Sequence, residues 1–116
     1  MRHLQPPIFT DLRAALRGAP DYAFGYALYL PADERWSLAT RCALIDPADV
    51  ESDDQDDPYI AQEHGLTYGL DFGTVQEIYA NLSQQAGSAS DELLLRAFLH
   101  YYDNDAFIDL SHRTDL

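Results

Sequence analysis

Trp36-Ser-Leu38-Ala-Thr40-Arg41-Cys42-Ala-Leu44-Ile45 alternates larger residues with small or polar ones. Successive strand residues point to opposite faces, so Trp36, Leu38, Thr40, Cys42 and Leu44 share one face. Ser37, Ala39 and Arg41 begin the other. The spacing predicts a core strand over residues 36–45. Upstream, Tyr22, Phe24, Tyr26, Leu28 and Leu30 also alternate with small residues. Tyr22, Tyr26 and Tyr29 equally fit one helical face, so periodicity leaves residues 22–30 open between strand and helix. Pro31-Ala-Asp-Glu34 ends that segment.

Around this strand the pattern switches to helical spacing. Val75, Ile78, Tyr79 and Leu82 follow i, i+3, i+4, i+7 and predict a helix over 74–85, stopped by Gly87. Ser90 predicts the cap of a second long helix reaching Tyr102, with Asp91 and Glu92 in its first turn. Leu94, Leu95, Phe98, Tyr101 and Tyr102 form its apolar face. A short helix is expected after Pro6-Pro7, with Thr10 as its cap, Leu12 and Leu16 on one face and Gly18 as its stop. Ala19-Pro20-Asp21 reads as a turn. Another short helix is expected over Tyr59–His64, capped by Asp57, started by Pro58 and closed by Gly65. Leu66–Leu70 and Ala106–Leu110 read as short strands, with Asp103-Asn104-Asp105 as a turn between helix and strand. The expectation is one α+β domain over 1–116. A sheet of three or four strands packs against two longer helices, with one or two short helices besides. Residues 1–7 and 111–116 are expected to fray.

The strand runs directly into Asp46-Pro-Ala-Asp49-Val-Glu51-Ser-Asp53-Asp54-Gln-Asp56-Asp57, seven carboxylates with no positive charge. They carry more than half of a net charge of −13. Such a run repels itself and opposes compaction. It is a cation site, a solvated loop, or a docking surface for a basic macromolecule. A calcium loop needs alternating ligands, glycine at its sixth position and glutamate at its twelfth. No register of this glycine-free run supplies them. Zinc is disfavoured because His3, His64, His100 and His112 lack ligand spacing and Cys42 stands alone. His64 reads as a helix C-terminal residue and His100 as a structural one. No metal or cofactor is expected.

No nucleophile elbow is present, and Gly65, Gly69 and Gly73 lack the lysine of a phosphate loop. Nothing singles out a catalytic carboxylate pair among twenty acids, so a non-catalytic protein is expected. The acidity repels phosphate, which argues against nucleic acid and for a basic protein partner. All seven basic residues are arginine, which fits a GC-rich genome better than salt adaptation, since the acids cluster. A single cysteine excludes an internal disulfide and fits a buried thiol in a reducing compartment. No apolar stretch approaches the roughly 20 residues that span a bilayer. No secretory segment follows Met1-Arg-His-Leu-Gln-Pro-Pro. A cytoplasmic protein without membrane partners is expected.

The eight tyrosines have core and interface readings. Tyr79, Tyr101 and Tyr102 fall at helical core spacing, and Trp36 reads as core. Tyr59, just after the run, is placed at an interface. The expected partner-binding residues are Asp49, Glu51, Asp53, Asp54, Asp56, Asp57 and Tyr59.

Tyr29-Leu-Pro31, Trp36-x-Leu38-x-Thr40-Arg41-Cys42, the acidic loop and Tyr101-Tyr102-Asp103-Asn104-Asp105-Ala106-Phe107-Ile108 resemble a family of small acidic bacterial proteins. That family is mostly described as a domain of unknown function. Short acidic proteins of this kind resemble immunity proteins of contact-dependent inhibition and other polymorphic toxin systems. The resemblance implies a protein that binds one cognate toxin domain, often a basic nuclease, and blocks its active site or substrate groove. The alternatives are a generic binding or adaptor module with a solvated acidic loop, or a small enzyme using acidic residues.

Overall fold

Ala27, Leu28, Tyr29 and Leu30 are buried one after another, and so are Cys42, Ala43, Leu44 and Ile45. A strand buried at every position must be covered on both faces. The computed structural model describes residues 6–22, 25–48 and 58–110 and shows how this is done. Strands β1 (Ile8–Asp11), β2 (Ala27–Pro31), β3 (Arg41–Ile45) and β4 (Leu66–Asp71) form an antiparallel sheet in the order β1-β3-β2-β4. Helices α1 (Leu12–Arg17), α3 (Phe72–Ala86) and α4 (Asp91–Asn104) pack with one face. Helix α2 (Tyr59–Glu63) packs with the other. The protein is therefore α+β, with two long helices and two short ones among the described residues.

The two layers are unequal. Sixteen buried residues form the core on the helix side, including Leu28, Leu30, Leu44, Phe72 and Phe98. Six form the core on the other side: Ala27, Tyr29, Ala43, Ile45, Ala61 and Leu66. A fully buried Leu or Phe contributes about 1.5–3 kcal/mol, so most apolar stabilisation lies under α1, α3 and α4. No helix among the described residues is long and apolar enough to cross a membrane.

Helices α3 and α4 form where the spacing predicts them. Asp71 caps α3 through Thr74 N–H, and Ser90 caps α4 through Leu93 N–H. Residues 27–31 settle as a strand, ending at Pro31. The first helix begins one residue later than expected. Asp11, not Thr10, is its cap, and its carboxylate accepts from Ala14 N–H at 2.8 Å. Thr10 instead lies in β1, a strand that the sequence reading did not anticipate.

Three further expectations are corrected. The strand expected over 36–45 is regular only from Arg41. Leu12 and Arg13 donate their N–H groups to Thr40 and Leu38 carbonyls at 2.8 and 3.0 Å. Carbonyls that complete the start of α1 do not extend a sheet ladder. Trp36 leaves the alternation altogether. Its Nε1 donates to the Pro31 carbonyl at 2.7 Å, and its half-buried ring meets Tyr102 edge-on at 4.7 Å. Asp103 and Asn104 continue α4, and Asp105 ends it in the left-handed region at φ 54°. Residues 106–110 form no strand. Gln85 holds them by donating to the Ile108 carbonyl and accepting from Leu110 N–H, at 2.8 and 2.9 Å. The helix expected from Asp57 begins after Pro58, and Asp57 lies outside the described residues. So do 1–5 and 111–116 of the expected tails, whereas Pro6 is engaged: its carbonyl accepts from the Tyr26 hydroxyl at 2.6 Å.

Strand β4 carries one irregularity that positions the second face. Tyr29 pairs with Tyr68 and Leu28 with Leu70, so the register shifts across Gly69. A Cβ at Gly69 would lie 2.7 Å from Leu30 Cδ1 and 3.1 Å from the Leu28 carbonyl oxygen. Leu30 is fully buried, so it has little room to yield. Replacing Gly69 by Ala is expected to lower unfolding free energy by about 1–3 kcal/mol, read from the urea midpoint.

Two arginines fasten α1 to the start of α4. Arg13 Nε and Arg17 Nε reach the two carboxylate oxygens of Asp91 at 2.6 and 2.5 Å. Hydrogen bonds from Arg17 and then Arg13 hold the Asp91 carboxyl below its ordinary range. A carboxyl depressed in the native state stabilises it above the unfolded value, near pH 4. That contribution fades as pH falls through the native value. The melting-temperature deficit of Asp91→Asn should therefore be widest above about pH 5 and narrow on acidification. Thermal melts between pH 7 and 2.5 check this.

Candidate functional site

The thinly covered second face carries the features most suited to recognition. Helix α2 lies over Tyr29, Ala43 and Ile45 but leaves three aromatic rings in solvent. Phe9 on β1 is 44% exposed, Tyr59 at the start of α2 is 51% and Tyr68 on β4 is 48%. Register places Phe9 opposite Ala43 and Tyr68 opposite Tyr29, on the same side as α2. Tyr68 meets Tyr29 edge-on at 5.7 Å. Partial burial, and secondarily Asp71, pushes the Tyr68 hydroxyl above its ordinary value, so it stays a neutral donor at physiological pH.

Beside these rings the face is hollowed into a cleft of about 480 Å³. Phe9, Pro31, Ala39 and Leu66 give it apolar walls, while Glu34, Arg41 and His64 bring charge and polarity. His64 caps the C-terminal end of α2, as its place in the sequence predicts, and Gly65 follows at φ 69° to turn the chain into β4. The imidazole rests against Phe9 with ring centroids 4.6 Å apart.

In sequence the acidic run joins β3 to α2. Asp46 follows β3 directly and is buried, its Oδ1 accepting from Ala48 N–H at 3.0 Å. Pro58, just beyond the run, is fully buried and precedes α2. Asp49, Glu51, Asp53, Asp54, Asp56 and Asp57 lie outside the described residues. Of the expected binding residues, Tyr59 alone is described, and it is exposed as an interface residue requires.

Phe9, Arg41 and Tyr68 were missed by sequence reasoning. Phe9 sits in the unanticipated strand, and Tyr68 reaches this face only through the shift at Gly69. The remaining aromatics divide. Tyr79 and Tyr101 pack against the main core, but Tyr102 is exposed apart from its contact with Trp36. His100 is half-buried on α4 and contacts Asn104. Among the described residues no group of three or more His, Cys, Asp or Glu could hold a metal.

A model of one protein family matches residues 9–110, nearly the whole chain. The chain belongs to the DUF7716 family. The family is described as a domain of unknown function, which agrees with the coarse part of the resemblance read from the sequence. No curated protein and no solved structure matches the chain. The matched range of the DUF7716 domain takes in Phe9, the acidic run, Tyr59 and Tyr68 together with both long helices.

Cys42 lines the same cleft yet is almost wholly buried. Burial, with a smaller push from Asp11, raises its thiol to about 12. At pH 8 only about one thiol in 10⁴ would be ionised, and the thiolate is the reactive form. Ellman's reagent should therefore label Cys42 rapidly in denaturant and at least about a hundredfold more slowly in the native protein.

Proposed function

We propose that this protein acts by binding: it docks a basic protein partner against the second face of the sheet and the acidic run beside it. The partner we favour is a cognate toxin domain of nuclease type, neutralised because the acidic surface occludes its substrate groove. The observation that supports this reading is the coincidence of three exposed aromatic rings on one face with an acidic run that joins β3 to α2, the helix covering that same face.

The division of labour follows from physical chemistry. Seven carboxylates would steer a basic partner and speed encounter. Tyr59 and Tyr68 would supply the short-range energy, because tyrosine rings bury area and accept Arg or Lys cations over their faces. Hot spots of interfaces are built from such rings. The exposed aromatics also support a second reading, an adaptor that docks through its rings alone while the run stays solvated.

The test expresses the product of the gene directly upstream, with and without this protein. The expected outcome is growth arrest relieved by co-expression, and a purified complex. Converting Asp53, Asp54, Asp56 and Asp57 together to Asn should weaken that complex by about tenfold or more at roughly 0.05 M salt. The gap should close towards 0.5 M, where screening is nearly complete. Tyr59→Ala should weaken it at both salt concentrations. An unchanged affinity after the four substitutions selects the adaptor reading. An upstream product that is neither toxic nor bound removes the toxin reading.

A further inference from the structure

Among the described residues Arg41 forms no ion pair, in a chain of net charge −13. Arg13 and Arg17 are held by Asp91. Arg41 faces Asp11 across the β1–β3 register, but the Asp11 carboxylate is committed to capping α1. No carboxylate among the described residues forms an ion pair with Arg41. Its neighbour Thr40 is also engaged, its Oγ1 accepting from Ser37 N–H at 2.7 Å. Among the described residues the guanidinium thus has no carboxylate partner, and it lines the cleft formed by Phe9, Pro31, Ala39, Leu66 and His64.

We propose that this cleft binds a small organic monoanion, a carboxylate carried on a flat apolar body. A guanidinium fork matches a carboxylate with two parallel hydrogen bonds. The ring of Phe9 and the side chains of Pro31 and Leu66 offer an apolar bed for the body of such a ligand, and His64 adds a polar edge. The volume of about 480 Å³ lies within the roughly 300–1,000 Å³ of small-molecule sites. The overall negative charge opposes an approaching anion, but charges beyond about 8 Å are screened at physiological ionic strength. The contact with Arg41 therefore decides. Glu34, also lining the cleft, repels any anion and a dianion such as phosphate more strongly than a monoanion. The site shares Phe9 with the proposed docking face, but its anion contact is Arg41 rather than the acidic run, so binding of a small anion is tested apart from binding of a protein partner.

The test titrates ¹⁵N-labelled protein with sodium benzoate and, separately, with benzamide, its neutral counterpart. Benzoate should give saturable shifts at the amides of Phe9, Arg41 and Leu66, with affinity about tenfold above benzamide. Arg41→Gln, an exposed change at the start of β3, should erase that preference while leaving the rest of the spectrum in place. Ala39→Trp should fill the cleft and abolish both responses. Equal response to benzoate and benzamide would overturn the proposal. So would an unchanged benzoate affinity in Arg41→Gln, shifts that map elsewhere, or tighter binding of inorganic phosphate than of benzoate.

Discussion

Residues 27–30 of β2 and 42–45 of β3 are buried on both faces of the sheet, and the fold follows from that constraint. On the helix side Leu28, Leu30, Cys42 and Leu44 meet α1, α3 and α4. On the other side Ala27, Tyr29, Ala43 and Ile45 are covered by the short α2, with Ala61 buried and Ile60 packed against the cluster. Two of the residues covered there, Ala27 and Ala43, are small, and the second core has six buried residues against sixteen on the helix side. The same thinness leaves Phe9, Tyr59 and Tyr68 at its margins, so the recognition surface is a by-product of how the core is closed. The thick layer supplies stability and the thin layer supplies access.

Helices α3 and α4 were legible because their signals are local. Val75, Ile78 and Leu82 repeat on one face, and Ser90 needs only the N–H of Leu93 to act as a cap. Residues 36–40 misled because alternation is also satisfied by a turn whose residues have unrelated jobs. Trp36 packs on α4, Thr40 closes the turn onto Ser37, and the carbonyls of Leu38 and Thr40 serve α1. Residues 106–110 look like a strand, but their backbone is hydrogen-bonded by the Gln85 side chain, whose amide offers a donor and an acceptor much as a neighbouring strand would, while Ile108 and Leu110 pack on the core. No local pattern announces that substitution.

The site was less legible than the fold. Tyr59 was identified from its position after the acidic run, which is a local fact. Phe9 and Arg41 belong to the site only through β1–β3 pairing, a contact between residues more than thirty positions apart. Recognising Arg41 also required knowing that Asp11 had been taken by a helix cap. Charge counting along a sequence treats every arginine alike, whereas among the described residues Arg13 and Arg17 share Asp91 and Arg41 has no ion pair.

Gly69 has a consequence beyond tight packing. A pleated strand assigns its residues to two faces by parity, odd to one side and even to the other. The extra residue reverses that parity midway along β4. Leu66 and Tyr68 therefore belong to the thin layer, while Leu70, also an even position, belongs to the thick one. One strand thereby reports to both layers in turn. Substitutions before the glycine alter the recognition side, and substitutions after it alter the helix core. The two halves of β4 can diverge independently because a single residue without a side chain separates their phases.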